Sequence, residues 1–187
     1  MSSPEPAGPL LTLEPLLEAL RVGVEDAGWT LSGLQKTTSY EFEGRWAGES
    51  TRSAYVFFHH EDRWEGANVE LYLDETPRGL KGNLQLVLDG PSLGAMADPA
   101  GALGDMAAAA RTCLPEGYVV PLTLRFSLPR AQDAPKTADG EWRVKLRLPR
   151  AAMEAGAGAV AALASATVAA FESLLVHPVV AEHALLD

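Results

Sequence analysis

The sequence predicts an α+β domain, an antiparallel sheet with helices packed on one face. Three observations support this prediction. Apolar residues recur at helical spacing in three segments, and between these segments they alternate with polar residues over short runs. The gaps between the alternating runs are short and rich in Gly, Pro and Asn, as hairpin connections are. The predicted order is one helix, three or four strands, a helix, two strands and a last helix, which groups the strands as α+β proteins do.

The first helix follows a Pro-, Ser- and Gly-rich tail, residues 1–11, which we expect to be flexible. The remaining residues, 12–187, are enough to bury one core and are predicted to form a single domain. Thr12 is a favoured N-cap residue type, and leucines then recur at helical spacing until Gly28, a residue type that commonly follows the end of a helix.

Four strand patterns come next, in the segments TSYEFEGRW, SAYVFFHH, ANVELYLDE and GNLQLVLDG. Tyr40 and Phe42 alternate with glutamates in the first, and the second, which contains Phe58, is apolar on both faces. These aromatic residues offer more apolar surface than one core layer needs. We therefore expect a second sheet face to be buried by a second copy of the chain or by another protein.

The second helix is predicted to begin with Asp98 as N-cap and Pro99 as its first residue, and to end before Pro115. Leu103 and Met106 lie on one side of it. We expect this side, with the adjoining sheet surface, to form the contact between two copies of the chain.

Two further strands, within VVPLTLRFSLPR and GEWRVKLRLPR, place Val144, Leu146 and Leu148 inward on the second of them. The opposite face carries a basic row, made of Arg143, Lys145 and Arg147 with Arg125 on the neighbouring strand. Such a row is commonly a solvated sheet face, but it could also receive an acidic segment of another chain or a nucleic acid.

The last helix is predicted over 150–176, ended by Pro178, and between Glu154 and Glu172 it has no charge. A membrane span is not expected, because seventeen helical residues reach only about 26 Å and the run is Ala- and Gly-rich without flanking Lys or Arg. Residues with small side chains recur on one side, which allows close packing: Ala157, Ala161, Ser165 and Ala169. A core helix is the preferred interpretation, and a subunit interface the alternative.

Composition narrows the function. A net charge of -10 makes direct nucleic-acid binding unexpected. The lone Cys113 permits no internal disulfide and reads as a buried structural thiol. His59 and His60, adjacent on a strand, point to opposite faces and cannot share a metal ion without a bulge. No motif for a nucleophile, phosphate or zinc occurs, so we expect no metal, no cofactor and no enzymatic activity. The N-terminus shows no secretory signal, which predicts a cytoplasmic protein.

The element order and hydrophobic pattern resemble the YbjN-like proteins, which share the fold of type III secretion chaperones. The matching features are the opening helix LEPLLEALRVGVEDAGW, the strands, the middle helix PAGALGDMAAAARTCLP, the pair PLTLRFSLPR and EWRVKLRLPR, and the closing helix. The resemblance implies a small, acidic bacterial homodimer that binds another protein and catalyses no reaction.

Two functions therefore remain open. The first is a homodimeric protein-binding module, chaperone-like or regulatory. The alternative is a small-ligand-binding domain of the helix-grip type, in which the last helix lies across a curved sheet and an apolar cavity separates the two. Helix-grip proteins usually begin with a strand, whereas this chain begins with a helix, which favours the first.

Overall fold

The structure is a computed structural model that describes residues 8–39, 51–90, 98–114, 122–127 and 139–184. Its helices are α1 (Leu13–Asp26), α2 (Pro99–Cys113), α3 (Arg150–Ala155), α4 (Ala157–Leu175) and α5 (Pro178–Ala184). Its strands are β1 (Thr30–Ser39), β2 (Thr51–His59), β3 (Ala67–Thr76), β4 (Gly79–Gly90), β5 (Leu122–Ser127) and β6 (Asp139–Arg147).

The described strands form a six-stranded sheet in the order β1-β2-β3-β4-β6-β5. Antiparallel pairing joins β1 to β2, β2 to β3, and β5 to β6. Alternate residues of β2 and β3 are buried, as Ala54, Val56 and Phe58 are on β2, whereas the consecutive residues Leu84 to Leu88 of β4 are all buried. The α+β class predicted from the sequence is confirmed.

The chain divides into two compact units. Unit 1 comprises Met1–His59, Val69–Leu84 and Arg147–Val168, and unit 2 comprises His60–Asn68, Gln85–Leu146 and Ala169–Asp187. Strands β3, β4 and β6 and helix α4 each contribute residues to both units. The candidate functional site lies in unit 1.

Helix α1 is stabilised by a contact that its own sequence does not contain. Thr12 occupies the N-cap position as predicted, but its side chain makes no capping hydrogen bond. The backbone amide of Leu13 instead donates to the carboxylate of Glu75 on β3, at 2.6 Å. The helix ends as predicted before Gly28, whose φ of 93° is a conformation that favours glycine. The leucines predicted to face inward are buried.

The first described strand begins earlier than the alternating pattern predicted. The prediction put a strand at 38–46, of which 40–46 lie outside the described residues, and the structure has β1 at Thr30–Ser39, directly after the turn that follows α1. The sequence TLSGLQKTTS has no regular alternation of apolar and polar residues. This agrees with a strand at one end of the sheet order, in which a bulge between Leu31 and Gly33 shifts the register. Tyr40 and Phe42 lie outside the described residues.

Helix α2 begins as predicted. Asp98 is its N-cap, and the Asp98 carboxylate accepts a hydrogen bond from the backbone amide of Gly101 at 3.0 Å. The next residue, Pro99, is the first of the helix, where a missing amide hydrogen costs nothing.

The last helix was predicted as one piece and is two. Gly156, with a φ of 96°, separates α3 from α4. A residue with positive φ cannot continue a right-handed helix, so the break is a property of this glycine. Pro178 does end α4, and the segment that begins with this proline forms α5. The ring of His177 accepts a hydrogen bond from the backbone amide of Val179 at 3.3 Å.

The small side chains of α4 allow α1 to pack closely against it in unit 1. A Cβ added to Gly23 of α1 would collide with the backbone oxygen of Ala161 and come within 2.8 Å of the Ala164 Cβ. Gly23 and Ala164 are both buried. This contact confirms the predicted close approach at Ala161; the second contact is Ala164, outside the predicted set, and Ala169 of that set is exposed.

Candidate functional site

The candidate site is one face of the strands of unit 1, centred on the β2–β3 pair. Ala54, Val56 and Phe58 point into the core, so Tyr55 points to the opposite side. Tyr55 retains 40 % of its accessible surface. We call this side the open face; among the described residues of unit 1 it consists of half-buried and exposed side chains on β1, β2 and β3.

Two tyrosines pack against each other at the centre of the open face. Tyr55 and Tyr72 are register partners on β2 and β3, which places their side chains on the same face. Their ring centroids lie 4.6 Å apart with an angle of 48° between the ring planes. This tilted arrangement is within the favourable range for aromatic pairs.

The Asp74 carboxylate forms hydrogen bonds with two hydroxyl groups of the open face, those of Ser53 and Tyr72. Asp74 accepts a hydrogen bond from the Ser53 hydroxyl at 2.6 Å. The side chain of Tyr72 also hydrogen bonds to Asp74, and this bond, with smaller contributions from burial and the carboxylate charge, raises the pKa of Tyr72 above its ordinary value. A phenol that donates to a carboxylate has one preferred orientation, so the tyrosine pair is positioned before any partner arrives.

Strand β1 borders the open face. Phe57 on β2 lies opposite Gly33, and a Cβ at that glycine would meet the Phe57 ring at 3.4 Å. The ring therefore rests close over the glycine backbone. Ser32, in the bulge, donates its hydroxyl hydrogen to the Phe57 carbonyl at 3.0 Å, which fixes the edge of the surface.

Two of the residues predicted at an interface are buried within the chain. Phe58 and Met106 have no exposed surface, because each is part of the core of the chain, and the expectation that they form an accessible contact is corrected. Leu103 is half-buried on α2. Tyr40 and Phe42 lie in the part of the chain that the structure does not describe.

The basic row is partly neutralised by an acid on the same strand. Arg143 contacts Glu141 with nitrogen–oxygen distances of 2.6 and 3.0 Å, as residues two apart on one strand face can. Lys145 is half-buried and Arg147 is exposed. The backbone of Arg125 lies in β5, paired with Glu141, and its side chain is outside the described atoms. The row is therefore less basic than the sequence suggested.

The described histidines, cysteine and carboxylates form no group of three that could hold a metal ion. Cys113 is half-buried, and its sulfur lies 3.6 Å from the backbone oxygen of Ser173. Burial raises the pKa of the Cys113 thiol, which lowers its reactivity. The absence of metal chemistry and of catalysis stays a prediction.

One pocket among the described residues of unit 1 is small. It has a volume of about 200 Å³ and is lined by the chain before α1, the β3–β4 turn and α3, including Leu10, Leu80 and Met153. Ligand sites commonly measure 300–1,000 Å³. Leu10, which falls in the tail predicted to be flexible, donates its amide to the backbone oxygen of Met153 at 2.9 Å.

One described helix, α4, is long and apolar enough to cross a membrane, and 39 % of the 18-residue apolar stretch within it is buried inside the protein. Length and composition give the same result for the core helix of a soluble protein. The buried residues of α4 and its contact with Gly23 favour a packed helix, and the absence of a membrane span stays a prediction.

Sequence reasoning missed Tyr55 and Tyr72 as a pair. A signal was present: in ANVELYLDE the apolar residues Val69, Leu71 and Leu73 share one face, so Tyr72 must lie on the other. What the sequence does not contain is the register between β2 and β3 that places the two tyrosines side by side.

Comparison of the chain with protein-family models, with curated proteins and with solved structures finds no match.

Proposed function

We propose that this chain is a non-enzymatic, homodimeric protein-binding module of the cytoplasm, chaperone-like or regulatory. The partner protein docks on the open face around Tyr55 and Tyr72. The observation that carries the proposal is the tyrosine pair itself, in which two large, partly exposed rings pack against each other at a tilt and Asp74 holds the hydroxyl group of Tyr72.

Tyrosine suits this role for physical reasons. Its ring supplies a large contact area with only two side-chain torsions to immobilise, and its hydroxyl can hydrogen bond at the rim of an interface. Because Asp74 and Ser53 already restrict the surface, little conformational entropy is lost on binding. Tyrosines are over-represented among the residues that carry most of the binding energy in interfaces.

The charge of the chain restricts the partner. The net charge is -10, and Asp74 and Glu70 lie on the same face of β3 as Tyr72. Complementary charge speeds association and disfavours partners of like charge. The expected partner presents an apolar patch with a basic rim, and it is a protein, since a phosphate backbone would be repelled.

A capture experiment with matched variants tests this function. The tagged protein and its Tyr55→Ser variant are used to capture proteins from extracts of the native host, followed by mass spectrometry. Val176→Ser, on a side chain with 62 % exposure in unit 2, is the control. We expect one protein to be retained by wild type and by the control, and to be at least ~10-fold depleted with Tyr55→Ser, the loss typical of a hot-spot residue. Equal retention by all three forms, or none by any, would overturn the proposal.

A further inference from the structure

Strand β1 is an edge of the sheet that the described residues form. It stands at one end of the sheet order, and within the described residues it pairs with β2 alone. Natural edge strands are commonly short or carry lysines, prolines or bulges, which limit pairing with other chains. This strand has ten residues, no proline and no acid, and its described protection consists of Lys36 and of the bulge between Leu31 and Gly33. The register from Gly33 to Ser39 is regular, so this part of the strand can pair with another strand.

The core is also incompletely covered at this edge. Leu34 and Leu31 are register partners of Val56 and Phe58, which are buried, so both leucines lie on the core side of the sheet. They nevertheless keep 49 % and 37 % of their accessible surface. Val22 of α1, the helix that packs on β1 and β2, is 37 % exposed as well. Three of the exposed large apolar residues therefore belong to the edge strand or to the helix beside it.

We propose that a second copy of the chain completes this edge, with β1 of each copy pairing antiparallel to the other around a two-fold axis at Leu34. This inference rests on the proposed homodimer and assigns its interface. An axis perpendicular to the sheet joins the two sheets into one and keeps both α1 helices on the same side. The core side then continues from one copy to the next, and Leu34 packs against its own counterpart.

Charge and register favour a second copy over other occupants. The chain is acidic, so two copies repel each other over most of their surface, but β1 contains no acid. With the axis at Leu34, and with the bulge counted as one extra residue, Lys36 lies opposite Leu31 of the other copy. Lys36 is the register partner of the buried Ala54 and so lies on the core side of the sheet, where its long side chain extends past the leucines to solvent. An axis at Lys36 would place two like charges directly opposite and is disfavoured. An acidic segment would find only one lysine on this strand.

The contact would extend along the whole of β1. Ten residues of strand extend over about 34 Å. Standard interfaces bury roughly 800 Å² per partner, so the pairing of the strands would need the exposed side chains of Leu31, Leu34 and Val22 as additional contact surface.

Disulfide trapping tests the position of the axis. Leu34→Cys and Tyr55→Cys are each placed in a Cys113→Ser background, since Cys113 is the only native cysteine. The two sites have similar exposure, but only residue 34 would meet its counterpart within the Cα separation that a disulfide requires. After mild oxidation we expect denaturing gel electrophoresis to show a covalent dimer of about twice the 19.9 kDa chain for Leu34→Cys and no covalent dimer for Tyr55→Cys. Equal cross-linking at both sites, or none at residue 34, would overturn the assignment.

A charge at the axis gives an independent test. We expect light scattering coupled to size exclusion to give a mass near 40 kDa for wild type and near 20 kDa for Leu34→Lys, with Tyr55→Lys remaining dimeric and far-UV circular dichroism confirming that each is folded. A wild-type mass near 20 kDa contradicts the homodimer, and a dimer that Leu34→Lys leaves intact places the interface elsewhere. Capture of the partner protein through Tyr55 is scored separately, so a failed edge interface and a failed protein-binding function give different results.

Discussion

The backbone amide of Leu13, the first residue of α1, donates to the Glu75 carboxylate of β3 at 2.6 Å. The same carboxylate accepts a hydrogen bond from the Arg52 guanidinium at 2.6 Å. Arg52 also donates to the carboxylate of Glu14, in the first turn of the helix, again at 2.6 Å. The start of α1 is thus capped from the sheet, by a residue more than sixty positions away in sequence. An acid at a helix N-terminus also interacts favourably with the helix dipole.

The first prediction compares the two possible caps. Glu75→Ala removes the acceptor of the Leu13 amide and should lower the free energy of unfolding by about 1 kcal/mol, the typical effect of losing a cap. Thr12→Ala should change it by no more than a few tenths, because the Thr12 side chain makes no capping bond. Urea denaturation of both variants measures the difference. An equal loss in the two variants would show that the sheet does not cap the helix.

The second prediction concerns pH. Hydrogen bonds from Arg52, and to a smaller extent from the Leu13 amide, hold the pKa of Glu75 below its ordinary value. A carboxylate whose pKa is lower in the folded state stabilises the fold above the unfolded pKa of about 4.3, and this contribution is lost as pH falls through the folded pKa. We expect the melting temperature of wild type to fall further between pH 6 and pH 3 than that of Glu75→Gln. Parallel pH profiles would contradict the assignment.

The third prediction uses two glycines in helices. Gly23→Ala should destabilise the protein by about 1–3 kcal/mol, the usual cost of overpacking, because the added methyl group collides with Ala161 and lies 2.8 Å from the Ala164 Cβ. Gly104→Ala in α2 is the matched control: nothing lies within 4 Å of the added Cβ, and the higher helix propensity of alanine should stabilise by up to about 1 kcal/mol. Thermal unfolding measures both. A stabilising Gly23→Ala would mean that α1 and α4 do not pack this closely.

The fourth prediction concerns the single thiol. Because burial raises the pKa of Cys113, little of it is ionised at neutral pH. We expect alkylation by iodoacetamide at pH 7.5 to be at least ~10-fold slower in the native protein than in urea, as a desolvated thiol requires. The rate is followed by intact mass. A native thiol that reacts as fast as the unfolded one would indicate an exposed, activated cysteine and would favour a catalytic role for Cys113.

Local signals predicted those parts of the fold that short stretches of sequence determine. Asp98 and Pro99 marked the start of α2, Gly28 marked the end of α1, and the alternation through Val144, Leu146 and Leu148 gave the buried side of β6. Gly156 could have been recognised as a break, but the high helix propensity of the surrounding alanines favoured one continuous helix. Strand β1 was not predicted, because an edge strand with a bulge has no strict alternation of apolar and polar residues.

The candidate site was harder to predict, since it depends on which residues the fold covers. Phe58 and Tyr55 are both aromatic residues of the same strand, yet one has no exposed surface and the other keeps 40 %. Met106, chosen for its place on the apolar side of α2, is buried because that side is the one that packs inward. The position of the tyrosine pair depends on the register between β2 and β3, which no single stretch of sequence encodes.

Site-specific photo-crosslinking in the native host shows whether a partner protein binds the open face. A benzophenone amino acid is introduced in place of Tyr55, or in place of Ala162 on the exposed side of α4 as control, and the adducts are identified after irradiation. We expect a cross-link from position 55 to one other protein, with a basic rim on its surface, that is absent from position 162 and from cells kept dark. No adduct at position 55, or the same adducts at both positions, would contradict it.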